Sequence, residues 1–153
     1  ALKSFIAMRE AEGIKLERDV RYRAELILEK VEFIEKQSPE TVKAYRDKLE
    51  QRIRELLSDA SVDEQRLLTE TAIFADKTAV DEETVRLRSH ISQLCALLES
   101  DEPVGRKLDF IVQEMNREAN TIGSKAQDIE IAHTVVDIKA EIEKIREQIQ
   151  NIE

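Results

Sequence analysis

The sequence predicts an all-α fold of long amphipathic helices packed in a multi-helix bundle. Three observations carry that prediction. Charged residues make up 37% of the 153-residue chain and aromatics only 4%, a balance typical of solvated helices. With 3 Gly and 2 Pro the chain has too few punctuating residues for the many turns of an all-β fold. Apolar residues recur at spacings of three and four along most of the sequence, and the terminal stretch repeats them in heptads. The 41% apolar content is enough to fill one core, and the length suits a single domain.

The chain opens at Ala1 directly into Leu2, Phe5 and Ile6, with neither a Met nor a capping residue ahead of them, so the native beginning is expected upstream. Leu16, Val20, Ala24, Ile27, Val31 and Ile34 then form the apolar stripe of a long first helix, with Gly13 as its weak point. Ser38 before Pro39 reads as an N-cap with proline at the first helical position. A second helix carrying Val42, Tyr45, Leu49, Ile53 and Leu56 should therefore fold back on the first. Ser61 with Glu64 reads as a capping box for a third helix. Asp81, Glu82 and Glu83 place acids in the first turn of a fourth, whose Leu87, Ile91, Leu94 and Leu98 face inward.

Residues 100–105 are the plainest loop, and a fifth helix follows to about Thr121. Gly123 reads as its C-terminal cap, and Ser124 with Gln127 as the capping box of the last helix. That helix spaces Ile131, Val135, Ile138, Ile142, Ile145, Ile149 and Ile152 in alternating fours and threes. Isoleucine at nearly every a and d position favours trimers or tetramers in free coiled coils, but a bundle within one chain needs the same stripe.

No apolar run approaches the roughly 18 residues of a membrane span, and no signal peptide is visible. The single Cys95 cannot form an internal disulfide, and beside Leu94 and Leu98 it is expected to be a packed, reduced thiol. A soluble intracellular protein is the expectation.

The fifth helix holds the most informative polar residues. Leu108, Ile111, Val112, Met115, Ala119 and Ile122 complete its apolar face. Opposite them, Arg106, Asp109, Gln113, Asn116, Arg117 and Asn120 share one side, with Phe110 at its flank. Two asparagines there carry a helix-propensity penalty of a few tenths of a kcal/mol each. Arginine forks and side-chain amides suit phosphates, bases or carboxylates, and an aromatic ring offers a stacking surface; a polar contact with a neighbouring helix or subunit would explain the face equally.

Glu114 and Glu118 lie one turn apart, a like-charge pair that a hard divalent cation such as magnesium or manganese would relieve, although such pairs also occur on solvated helices. No Cys or His cluster suggests zinc. Arg86, His90 and Gln93 share a side of the fourth helix, which makes His90 a proton-transfer candidate or an ordinary surface histidine; His133, beside the isoleucine seam, reads as structural. Gly123, Ser124 and Lys125 would offer phosphate-binding donors but lack the rest of a P-loop. The 24 basic and 33 acidic residues give a net charge of −9, which disfavours indiscriminate nucleic-acid binding. From Arg86 to Lys125, however, bases and acids balance. A local phosphate-binding patch is therefore compatible with the overall charge.

The run from Gly105 to Lys125, GRKLDFIVQEMNREANTIGSK, closely resembles the signature of the YicC-like endoribonucleases of bacteria. Glu82, Glu83, Arg86, Leu87 and His90 resemble the family's preceding helix, Arg146 to Glu153 its usual terminus, and Ala1 to Arg23 its central helical region. The resemblance covers essentially the whole chain. It implies a cytoplasmic, divalent-metal-dependent enzyme (magnesium or manganese) that cleaves RNA internally in RNA turnover, acting as a homo-oligomer, a hexamer or other trimer-based assembly. It also implies an N-terminal β-containing domain beyond this sequence. Residues 1–77 would then be a helical hairpin plus a third helix, and 78–153 the signature-bearing region, together one helical unit. Many relatives carry an acidic or amide residue where this chain has Ala79, which would alter the site there.

Within that resemblance the roles follow from side-chain chemistry: Asp109, Glu114 and Glu118 would hold or orient the metal-bound water, with Glu114 and Glu118 as metal ligands, and His90 would transfer a proton. Arg86, Arg106, Arg117 and Lys125 would meet phosphates, and Asn116 and Asn120 sugar or base. Two other readings fit the same residues: a non-catalytic helical oligomerisation module, and an RNA-binding adaptor that serves another nuclease.

Overall fold

The computed structural model describes residues 1–57, 62–100 and 104–152, with no strand among them. Five helices follow in order: α1 (Leu2–Leu57), α2 (Glu64–Thr78), α3 (Asp81–Leu98), α4 (Gly105–Lys125) and α5 (Ile129–Ile152). The all-α bundle is as the sequence predicts.

Four helical segments close a ring of contacts, α1 to α3, α3 to α4, α4 to α5 and α5 back to α1. Cross-helix pairs set their directions. Arg23 bonds Glu141 at 3.0 Å and Gln37 bonds Asp128 at 2.9 Å, so α1 and α5 run antiparallel. Arg21 reaches the Cys95 carbonyl at 3.2 Å while Arg88 pairs with Glu35, so α1 and α3 are antiparallel too. The result is an up-down-up-down four-helix bundle in which the middle of α1 serves as the first helix. Its core is the predicted stripe of α1 from Val20 to Ile34, Leu87, Ile91 and Leu94 of α3, the apolar face of α4, and the isoleucine seam of α5.

That seam resolves the choice the heptads left open. Ile131, Val135, Ile138, Ile142, Ile145 and Ile149 are all buried within this one chain, at 4% exposure or less, against α1 and α4. They are not a surface for another subunit. The side chain of Ile152 lies outside the described residues.

The predicted turn at Ser38 and Pro39 is overturned. α1 runs unbroken from Leu2 to Leu57 with Pro39 inside it. A proline within a helix has no N–H for the preceding turn and costs about 3 kcal/mol. Contacts on both sides of Pro39 oppose that cost: Gln37 and Thr41 donate to Asp128 Oδ2 at 2.9 and 3.0 Å, and Ile34 is fully buried one turn earlier. Asp128 also caps α5 by accepting from the Glu130 amide at 2.7 Å, so one carboxylate joins the α5 start to the proline turn. The Gln37 hydrogen bond, aided by the others, holds its carboxyl below the usual range despite partial burial. Toward the C-terminal end of α1, Tyr45 and Phe74 stack with ring centroids 3.8 Å apart and fasten α2 to α1.

Other helix boundaries moved as well. Ser61 lies outside the described residues; the cap of α2 is Asp63, whose side chain accepts from the Gln65 and Arg66 amides. Gly123 does not end α4, which continues to Lys125, and Ser124 bonds back to the Thr121 carbonyl instead of capping α5. Gly123 is there for packing. A Cβ at that position would lie 3.1 Å from Val135 Cγ1, so its lack of a side chain lets α4 and α5 approach. Cys95 is half-buried against the core, and burial pushes its thiol pKa up, as expected of a packed thiol.

Two stability outcomes follow. Gly123→Leu forces α5 away from α4 and should cost about 1–3 kcal/mol, read as a lower midpoint in urea. Pro39→Ala restores the missing donor and should raise stability by about 1–3 kcal/mol; a hairpin turn at that point would make the substitution neutral or harmful.

Candidate metal centre

Burying the apolar stripes of α3 and α4 against each other leaves a second stripe on each helix facing across the hairpin. On α3 it is Glu83, Arg86, His90, Gln93 and Leu97, spaced three and four apart. On α4, running the other way, it is Lys125, Glu118, Glu114, Phe110 and Arg106. Because the helices are antiparallel, the two stripes meet rung by rung.

At the first rung Lys125 Nζ donates to Glu83 Oε1 at 2.8 Å and to the Ala79 carbonyl at 3.1 Å. Glu83 is 3% exposed. Its burial opposes ionisation, but the Lys125 hydrogen bond, its own backbone amide and the charges of Lys125 and Arg86 together hold its carboxyl below the usual range. At the second rung Arg86 Nε donates to Glu118 Oε1 at 3.0 Å, and its two other nitrogens lie 3.6 Å from Glu82 and Glu83. The bond to Glu118 strengthens the hold of Arg86 on its proton.

The third rung brings a ring nitrogen of His90 and carboxylate oxygens of Glu114 and Glu118 within 4.8 Å of one another. Glu118 is buried at 7% exposure, and His90 and Glu114 are half-buried. The Nδ1 atom of His90 is buried without a hydrogen-bond partner among the described residues, as is Glu83 Oε2. Atoms sharing one ion through bonds of roughly 2.1 Å are at most roughly 4.2 Å apart, so small rotations of these side chains would bring them onto a common cation. Two carboxylates and an imidazole suit a divalent ion that accepts both oxygen and nitrogen, with manganese better matched than magnesium. The residues therefore fit such an ion by donor type and spacing.

The chain matches the family described as endoribonuclease YicC-like, C-terminal, over residues 34–153. The chain belongs to this family. It is 54% identical over 154 residues to a protein of Clostridioides difficile (strain 630) named "Probable endoribonuclease YicC", covering 100% of this chain and 53% of that protein. A protein of the same name from Haemophilus influenzae is 38% identical over 152 residues, covering 99% of this chain and 52% of its own length. The chain thus spans about half the length of the curated relatives it matches. No described helix is long and apolar enough to cross a membrane.

Family membership agrees with the sequence resemblance, but the structure redistributes the residues that the resemblance singled out. His90, Glu114 and Glu118 come together. Asp109 stands outside the cluster, accepting a hydrogen bond from Gln113 at 3.0 Å on another side of α4. Arg86 and Lys125, expected to meet phosphates, are engaged with Glu118, Glu83 and the Ala79 backbone. Arg117 and Asn120 are exposed and Asn116 is half-buried, on a face turned roughly 100–200° around α4 from Glu118. Arg106 is exposed next to Phe110, and His133 is exposed rather than packed on the seam.

Sequence reading missed Glu83, the residue that grips both Lys125 and Arg86. The signal was partial: Glu83, Arg86 and His90 are spaced three and four apart on one side of α3, but their meeting with Lys125, Glu118 and Glu114, spaced seven and four, needs the register between the two helices. Because Glu83 has a depressed folded-state pKa, its contribution is fully present above the unfolded value of about 4.3 and is lost as pH falls through the folded value. Glu83→Gln should cost about 1–3 kcal/mol at pH 7. Thermal midpoints of both proteins should converge as the pH is lowered below about 4; a gap independent of pH would show that the charge of Glu83 is not what matters.

Proposed function

We propose that this chain carries the metal centre of an endoribonuclease, with Glu114 and Glu118 holding a divalent cation and His90 beside them. The observation that supports this most is the meeting of those three side chains in the region of the chain that the family match covers. When bound, the cation supplies charge stabilisation to a phosphodiester in the transition state. The protein's own part is positional. Arg86 fixes Glu118 through Oε1 and leaves the other oxygen for the ion, in the manner of a residue that orients a metal ligand from behind. Glu83 and Lys125 hold Arg86 and the base of the hairpin in place. His90 serves either as third ligand or as proton carrier, and the two roles are separable, because a ligand lost from position 90 weakens metal binding while a lost proton carrier leaves it intact.

Arg106 would take a phosphate roughly 12 Å along α4 from Glu114. Arg117, Asn116 and Asn120 would meet RNA only where the strand crosses to the outward face. The reading includes the family's expectation of a cytoplasmic homo-oligomer acting in RNA turnover, assembled through surfaces other than the buried isoleucine seam.

The test is cleavage of labelled single-stranded RNA by the protein at its full natural length, with manganese and with chelator. Glu114→Gln should slow cleavage at least about 100-fold, and chelator should abolish it. Undiminished cleavage by Glu114→Gln would remove that residue from the mechanism, and RNA binding without cleavage under any metal would favour an adaptor. Manganese affinity of His90→Gln, followed by electron paramagnetic resonance, assigns the histidine.

A further inference from the structure

The fourth rung of the hairpin lies one helical turn beyond the three-residue cluster, a step of roughly 6 Å along α4 from Glu114 to Phe110. There Gln93, Leu97, Arg106, Lys107, Phe110 and Ile111 line an open groove of about 350 Å³. Phe110 is 62% exposed in the middle of a helix whose other large apolar residues are buried. Core packing does not account for it. Tyr45 and Phe74 have their ring faces joined to each other, whereas the Phe110 ring stacks on no other aromatic among the described residues. Arg106 and Lys107 are exposed beside it and form no ion pair with a described residue. On a chain with net charge −9, two exposed cations that form no ion pair among the described residues flank an exposed aromatic ring.

We infer that this groove is a nucleobase subsite for single-stranded RNA, placed to hold the nucleotide next to the phosphodiester at the His90, Glu114 and Glu118 cluster. This inference rests on the endoribonuclease reading for its substrate. Phe110 and the Leu97 and Ile111 side chains offer the apolar platform on which a base stacks, irrespective of which base it is. Arg106 and Lys107 take the phosphates on either side of that base, and the Gln93 amide presents a donor and an acceptor at the wall of the groove. A duplex keeps its bases stacked on one another, so the subsite discriminates in favour of unpaired RNA. The location also gives the site an order: the stacked nucleotide fixes the strand, and the neighbouring linkage falls on the cluster one turn away.

The experiment measures binding of a fluorescent twelve-residue oligouridine, and of a hairpin duplex RNA of equal charge, to the protein at its full natural length in the presence of chelator. Phe110→Ala should weaken oligouridine binding about tenfold or more and leave duplex binding within about twofold. Phe110→Trp should restore it. Because the side chain is exposed, the variants should keep the parent's thermal midpoint. An RNA carrying 5-iodouridine should crosslink to the peptide that contains residue 110. Unchanged oligouridine affinity in Phe110→Ala, or equal losses for single-stranded and duplex RNA, would overturn the subsite. If that affinity is unchanged while Glu114→Gln abolishes cleavage, the subsite fails and the nuclease reading stands. If Phe110→Ala and Phe110→Trp behave as stated while no metal supports cleavage, the subsite stands and the nuclease reading fails.

Discussion

Burial of the apolar stripes of α3 and α4 is the constraint on which the rest of the site depends. Leu87, Ile91 and Leu94 must leave water together with Leu108, Ile111, Met115 and Ile122, and each such side chain contributes about 1.5–3 kcal/mol when buried. Once those faces meet, the rotation of both helices is fixed. Glu83, Arg86 and His90 have to lie opposite Lys125, Glu118 and Glu114, and the charges sort themselves accordingly: cation against anion at two rungs, and a histidine against two carboxylates at the third. Five buried or half-buried ionisable groups in one seam would be costly without partners. The paired rungs offset that cost at one end of the hairpin and leave Glu114 as the carboxylate of the cluster with no ion pair among the described residues.

The same geometry explains what the sequence could and could not disclose. The apolar face of α4 was legible because six residues at helical spacing have few alternatives, and each of them is buried. Glu114 and Glu118 were legible as a pair because they share that helix. Their meeting with His90 was not, since it needs the register between two helices. The polar residues of α4 are not one site: Asp109, Asn116 and Asn120 lie away from the cluster, while Glu114 and Glu118 occupy the flank that adjoins the apolar stripe. Arg86 and Lys125 look like phosphate contacts in isolation. Only the partners across the hairpin reveal them as supports.

Pro39 shows the opposite failure, a local rule overridden by tertiary structure. Ser followed by Pro is a sound helix-start signal, and in a short helix it would have prevailed. Here the chain on both sides is held in one line, by the buried stripe from Val20 to Ile34 and by Asp128 bonding Gln37 and Thr41 across the proline turn. Loss of one backbone hydrogen bond is small against the apolar area those contacts bury. The isoleucine heptads likewise named a packing surface correctly without naming its partner, because a seam that fits a neighbouring subunit fits a neighbouring helix of the same chain equally well.

With that seam closed inside the bundle, the apolar surface left in contact with water is elsewhere. Residues 2–15 of α1 are exposed on every side, with Leu2, Phe5, Ile6, Met8 and Ile14 among them, and extend roughly 21 Å. Their apolar content does nothing for the bundle, which begins at Val20. The helix therefore has distinct parts along its length: its middle is one wall of the core, its C-terminal part carries α2, and its first turns extend beyond the bundle. The bundle interior is already complete, so these exposed apolar side chains lie outside its core.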